Sequence, residues 1–209
     1  MLRVLAAGYD GTRDMWGTAA LMRLASGNAT GEDVLCLALP RRLLSSNASY
    51  EVRRVALCHP RATANESLPL APDCVRRVWS DARRALTLVE LAPLAVHWLH
   101  ARGATCRAPA TPLAGMRATC FTCSSDGMLE KRYVTLVRVD VEAVSVAQCD
   151  SQRRGSADAR EALLFSSDGS LLAVESVARH ESVVLIKSQV FRVDSIAEHF
   201  LMDRSRERR

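Results

Sequence analysis

Two thiols three residues apart, Cys120 and Cys123, are the first candidates for chemistry in this chain, because Cys-x-x-Cys spacing suits both a tetrahedral metal and a redox couple. His97, His100 and Cys106 lie a short way upstream, and four of these five side chains would complete a zinc site. A zinc ribbon would carry a second Cys-x-x-Cys, and a thioredoxin-like pair would open a helix directly after a strand. No second pair occurs, so the plain reading is small buried thiols and ordinary helix histidines, with no metal bound. His59, His180 and His199 are isolated in the sequence. No Ser-His-Asp order, paired catalytic carboxylates, Walker sequence or Gly-x-Gly-x-x-Gly is present, so no catalytic residue is nominated.

The chain that must position these groups has 209 residues, enough for one domain that buries roughly two-thirds to three-quarters of its unfolded surface. Its 48% apolar and 24% charged content is that of a globular protein, and no apolar run reaches the ~20 residues a membrane helix needs. The first ten residues hold too few apolar side chains before Asp10 for a signal peptide, so the seven cysteines are read as reduced thiols in the cytosol. Lys131 and Lys187 are the two lysines, which leaves 28 − 2 = 26 arginines in a net charge of +5. The arginines come in scattered pairs, such as Arg41-Arg42 and Arg153-Arg154, rather than on one element, so no specific nucleic-acid surface is expected.

Along the chain, short apolar runs alternate with helical spacings. Strands are expected near 3–7, 53–58, 104–122, 142–147 and 183–187, with a further apolar stretch from Val34 to Leu39. Trp16, Ala19, Ala20 and Leu24 recur at helical spacing up to Gly27, and Val75, Val78, Ala82, Ala85, Leu86 and Val89 do so after a capping Asp73. A helix continues from Leu94 to His100, Met128 to Val139 leans to helix, and Gly169-Ser170 opens another through Leu171, Leu172, Val174 and Val177. This alternation fits a mainly parallel sheet with helices on both faces, whose ligands sit beyond the carboxyl ends of the strands.

Val4-Leu5-Ala6-Ala7-Gly8-Tyr9-Asp10-Gly11-Thr12 at the start, and Gly169 to Lys187 at the end, resemble the first strand and the last helix and strand of the universal stress proteins. The resemblance implies a Rossmann-like, five-stranded α/β domain over residues 1–188, followed by a charged helical tail, 189–209. It implies a homodimer and an adenine-nucleotide site in which Asp10 meets the base while Gly155, Gly169 and Ser170 wrap the phosphates. Where the family has Gly-Ser-x-Gly-x-x-Gly, this chain reads Ala147-Gln148-Cys149-Asp150-Ser151-Gln152-Arg153-Arg154-Gly155, a degenerate loop from which weak ATP binding follows. The function implied is a non-catalytic nucleotide-binding or stress-response regulator. The alternatives are a ligand-free interaction module of the same fold and a Cys/His zinc protein.

Overall fold

The computed structural model describes residues 2–6, 15–25, 33–40, 43–44, 55–58, 67–81, 86–101, 103–123, 128–148, 162–178 and 187–207. Among these it contains thirteen strands and two α-helices, organised as two antiparallel sheets.

The first sheet is built from β1 (Leu2–Ala6), β2 (Met15–Leu24), β3 (Val34–Pro40), β4 (Val55–Cys58), β5 (Ser67–Pro69), β6 (Val75–Asp81) and β7 (Leu86–Leu91), in the order β5-β4-β1-β2-β3-β7-β6. A 3-10 turn, Pro72–Cys74, enters β6, and helix α1 (Pro93–Ala101) follows β7. The second sheet closes into a barrel, β10-β13-β12-β11-β8-β9, from β8 (Arg117–Cys123), β9 (Leu129–Val139), β10 (Ala143–Gln148), β11 (Ala162–Phe165), β12 (Leu171–Ala178) and β13 (Lys187–Arg192). Helix α2 (Val193–Glu207) leaves β13 and packs back onto the first sheet.

A parallel, helix-covered sheet is therefore the wrong architecture for this chain. Every ladder between named strands is antiparallel, and the one parallel contact among the described residues is an isolated bridge between Met22 and Arg107. The expected helix near residues 16–27 is β2, the one after Asp73 is β6 and β7, Met128 to Val139 is β9, and the one after Gly169-Ser170 is β12. Of the expected 104–122 strand, 117–122 lie in β8; the 183–186 part of the last run lies outside the described residues.

The reason lies in where these strands are buried. Ala19, Leu21, Leu37, Leu39, Val89 and Leu91 turn into the interior of the first sheet, against Ala95 and Leu99 of α1. Their sequence neighbours Ala20, Met22, Cys36, Ala38, Leu86 and Leu88 turn outward against Leu163, Phe165, Leu171 and Val174 of the barrel and Val193, Ile196 and Phe200 of α2. A strand covered on both faces loses the apolar–polar alternation of a half-exposed one, and a continuous apolar run then satisfies a helical template as well as an extended one. The barrel has its own interior, around Cys120, Val134, Leu136, Leu164 and Leu172. Three apolar layers thus stack through the molecule, and the middle one joins the two sheets.

Candidate functional site

The segment 103–116 carries the chain from the first sheet to the barrel, and it builds one cavity on the way. Arg23 N–H at the end of β2 donates to the Arg107 carbonyl at 3.0 Å, and Ala110 N–H donates to the Leu171 carbonyl at 3.0 Å, so the segment is tied to both sheets. The cavity, about 550 Å³, is lined by Arg23, Thr105, Cys106, Arg107, Ala108, Pro109, Ala110 and Ser170. Its third wall is the hairpin between β11 and β12. There Ser166-Ser167-Asp168-Gly169-Ser170 makes a tight turn, with Ser166 N–H donating to the Ser170 carbonyl and Gly169 at φ +86°, a left-handed conformation that glycine enters without the Cβ penalty. Arg107 lies over Gly169, its Nε 3.7 Å from where a Cβ would stand.

Each arginine of this cavity has one acidic neighbour at long range. Arg107 Nη1 stands 3.7 Å from Asp168 Oδ2 and Arg23 Nε 3.6 Å from Asp33 Oδ2, both beyond hydrogen-bonding distance. The Asp168 carboxylate accepts instead from Ser166 Oγ, from Ser170 N–H at 3.2 Å and from Ser170 Oγ at 2.9 Å. These hydrogen bonds, Ser166 first, hold its carboxyl down at about 2. Cys106, half-buried, is pushed up to about 11, chiefly by burial.

A second cavity, about 420 Å³, opens beside α1 and is lined by Asp33, Val34, Leu35, Arg76, Glu90, Leu91, Pro93, Val96, His97, His100 and Arg204. One edge of it is an ion pair within the molecule. Arg204, on α2, gives Nε to Glu90 Oε2 at 3.1 Å and Nη2 to Glu90 Oε1 at 2.9 Å, with Glu90 at 5% and Arg204 at 8% exposure. This two-point contact fits the guanidinium fork to the carboxylate plane and fastens the C-terminal helix to β7, next to the edge of the first sheet. Trp79 Nε1 donates to Asp203 at 3.0 Å, and the Trp79 and Phe200 rings meet edge-on at 6.0 Å, extending the same contact along β6. In the barrel a further arginine, Arg132, donates to Glu175 and, through Nε at 3.0 Å, to Cys120 Sγ.

Of the residues nominated from sequence, Asp10 and Gly155 lie outside the described residues. Gly169 and Ser170 come together in the hairpin, followed by a strand, so the helix N-terminus that would present N–H groups to phosphates is absent there. The Cys/His set is dispersed. His97 and His100 sit on α1 beside the second cavity, Cys106 lines the first, and Cys120 and Cys123 lie on β8, where a separation of three puts side chains on opposite faces. Among the described residues no group of three or more His, Cys, Asp and Glu side chains gathers at a metal-sized position. Arg23, Arg107, Glu90 and Arg204 escaped notice, since a pair 114 residues apart leaves no local trace. The Asp168 turn left a local signal, since Asp-Gly between two apolar runs marks a hairpin, and the helix start expected at Gly169-Ser170 passed over it.

A seven-stranded antiparallel sheet and a closed six-stranded barrel, packed face to face and joined by one crossing segment, make up a β architecture whose known counterpart is the fold of serine protease domains. The MamO protease domain of Magnetospirillum magneticum in its apo form superimposes with a TM-score of 0.50 at 11% identity, covering 95% of this chain and 94% of that one. The serine protease domain of the Sesbania mosaic virus polyprotein does so with a TM-score of 0.51 at 16% identity, covering 93% and 90%. No protein-family model matches the sequence, and no curated protein matches it. The resemblance to universal stress proteins is thereby overturned, and with it the Rossmann-like fold and the reading as a nucleotide-binding stress regulator.

Proposed function

We propose that this chain is a polypeptide-recognition domain of the serine-protease fold that binds its partner without hydrolysing it by a Ser-His-Asp mechanism. The polypeptide as partner class is taken from the two neighbours, both protease domains by name. One observation carries this reading: among the described residues, the hydroxyls and thiol that line the first cavity and the imidazoles that line the second are in different cavities. Hydrolysis by this chemistry needs a hydroxyl or thiol in hydrogen-bond reach of an imidazole that a carboxylate orients. The first cavity holds Ser170 and Cys106 and no histidine, and the second holds His97 and His100 and no serine, threonine or cysteine. Ser170 Oγ already donates to Asp168, and a thiol pushed up to about 11 is almost wholly protonated at neutral pH.

The setting proposed with it is the cytosol, where the thiols of Cys36, Cys74, Cys106, Cys120 and Cys123, none of them in a disulfide, would stay reduced. No helix among the described residues is long and apolar enough to cross a membrane.

The test is covalent labelling with a fluorophosphonate alongside digestion of casein. The expected result is neither labelling nor cleavage, with retained binding to unfolded polypeptide. Stoichiometric labelling of a serine, with casein cleavage lost on its replacement by alanine, would make the chain a working protease.

A further inference from the structure

We propose that the cavity at the junction of the two sheets, where Arg23 and Arg107 are tethered backbone to backbone, binds a carboxylate carried by a polypeptide. The proposal rests on the polypeptide-recognition reading and names the chemical group recognised.

The arginines of this molecule fall into those whose donors are spent and those whose donors are held available. Arg204 spends both edges of its fork on Glu90, and Arg132 is committed to Glu175 and Cys120. Arg23 and Arg107 have side chains 57% and 51% exposed, and their acidic neighbours stand at 3.6 and 3.7 Å, near enough to offset charge and too far to accept a hydrogen bond. Asp168 is kept from closing that gap because its oxygens are already occupied by Ser166 and Ser170. The Gly169 turn lies under the Arg107 stem, and the Arg23–Arg107 backbone hydrogen bond fixes where both side chains start. Both arginines then line one cavity of about 550 Å³, with no side-chain hydrogen bond of their own among the described residues.

Geometry selects the ligand. Arg23 and Arg107 are the charged residues that line the cavity, and each has one carboxylate, Asp33 or Asp168, beyond hydrogen-bonding distance, which weakens the pull on any anion and favours a group that gains from orientation as well as charge. A monoanion with two planar acceptors draws on the geometry of a guanidinium fork, which adds orientation to the charge. A peptide carboxylate has this chemistry, whether it is the chain terminus or an Asp or Glu side chain.

The experiment titrates three short acetylated alanine-glycine peptides into the protein at low ionic strength, followed by fluorescence anisotropy. One has a free terminus, one is amidated with an internal Glu, and one is amidated without any carboxylate. Sodium acetate is titrated separately, with the arginine Nε–H resonances followed by NMR. Binding of at least one carboxylate-bearing peptide is expected to fall about tenfold in Arg23→Gln and in Arg107→Gln, the loss of one charge-assisted contact, and to tighten in Asp33→Asn. The first two peptides separate a terminal from a side-chain source. Equal affinity in wild type and both arginine variants, or equal binding of the carboxylate-free peptide, overturns the site and leaves polypeptide recognition standing. Acetate that shifts the arginine resonances in wild type but not in Arg107→Gln, with no peptide bound, keeps the carboxylate site and overturns the polypeptide reading.

Discussion

The Arg204–Glu90 pair and the Arg107–Asp168 pair contain the same two chemical groups and do opposite work. In the first, both partners are buried, the contact has two points at 2.9 and 3.1 Å, and it joins the last helix to β7 of the first sheet. In the second, both side chains are at least half exposed, they stand 3.7 Å apart, and the carboxylate is held by its own turn. Burial decides the difference. Charges withdrawn from water must satisfy each other, and removing one leaves the other stranded, whereas charges at a solvated rim contribute little to stability and remain free for a ligand.

The strongest way to break this comparison is to cut the buried pair. Arg204→Leu leaves the Glu90 carboxylate without its partner in an apolar layer with Leu88 and Phe200 close in sequence or packing, and is expected to cost about 3–5 kcal/mol in urea unfolding. Glu90→Leu combined with Arg204→Leu removes both charges and is expected to recover most of that loss. A double variant as unstable as the single one would show that helix packing, and not the stranded charge, sets the cost.

Next in size is the turn that keeps Asp168 in place. Gly169 at φ +86° has no neighbour tighter than 3.7 Å at its Cβ position, so Gly169→Ala meets no clash and is expected to cost about 1–2 kcal/mol from the left-handed backbone alone. Gly169→Asn, which tolerates that conformation, is expected to cost less. Equal losses in the two variants, measured by thermal or urea unfolding, would point to lost contacts instead of backbone strain.

The turn and the pair differ in how far each could be read from the chain. Asp168-Gly169 between Leu163-Leu164-Phe165 and Leu171-Leu172 carries its own instructions, since turn chemistry is local. Reading it as a helix start followed from the Leu171–Val174 run, whose burial on both faces erased the period of two. The same erasure hid Leu86–Leu91, six consecutive buried residues, and replaced an antiparallel sheet with an expected helix. The positions of β1, β4 and β10 and the α1 helix were legible, because short apolar runs and a Pro-initiated amphipathic segment mark themselves. The pairing of strands, and so the fold, depended on contacts between distant residues, as did both arginine sites.

A pH series sharpens the comparison further. The Asp168 carboxyl is held at about 2 in the folded protein by hydrogen bonds from Ser166 and Ser170, below an ordinary value near 3.8. A group whose folded value is depressed adds stability that is present above its unfolded value and is lost as pH falls through the folded one. Wild type is therefore expected to lose a stabilising contribution between about pH 4 and pH 2 that Asp168→Asn lacks, so the two unfolding curves converge across that window. Curves that stay parallel from pH 5 to pH 2 would place the stabilisation of the turn in its backbone.

The smallest expected effect on stability is at the open arginines, and it is the most informative. Arg23→Gln and Arg107→Gln remove side chains that are more than half exposed and whose ion pairs exceed hydrogen-bond length, so each is expected to change unfolding free energy by no more than about 0.5 kcal/mol. The same two variants are the ones in which carboxylate binding should fall about tenfold. A residue that holds a fold loses stability and function together, as Arg204 should; a residue kept for a ligand loses the second and keeps the first. If Arg107→Gln unfolds as readily as Arg204→Leu, then Arg107 is a structural strut between the crossing segment and the barrel hairpin, and the division of the arginines into committed and available donors fails at the position where it matters most.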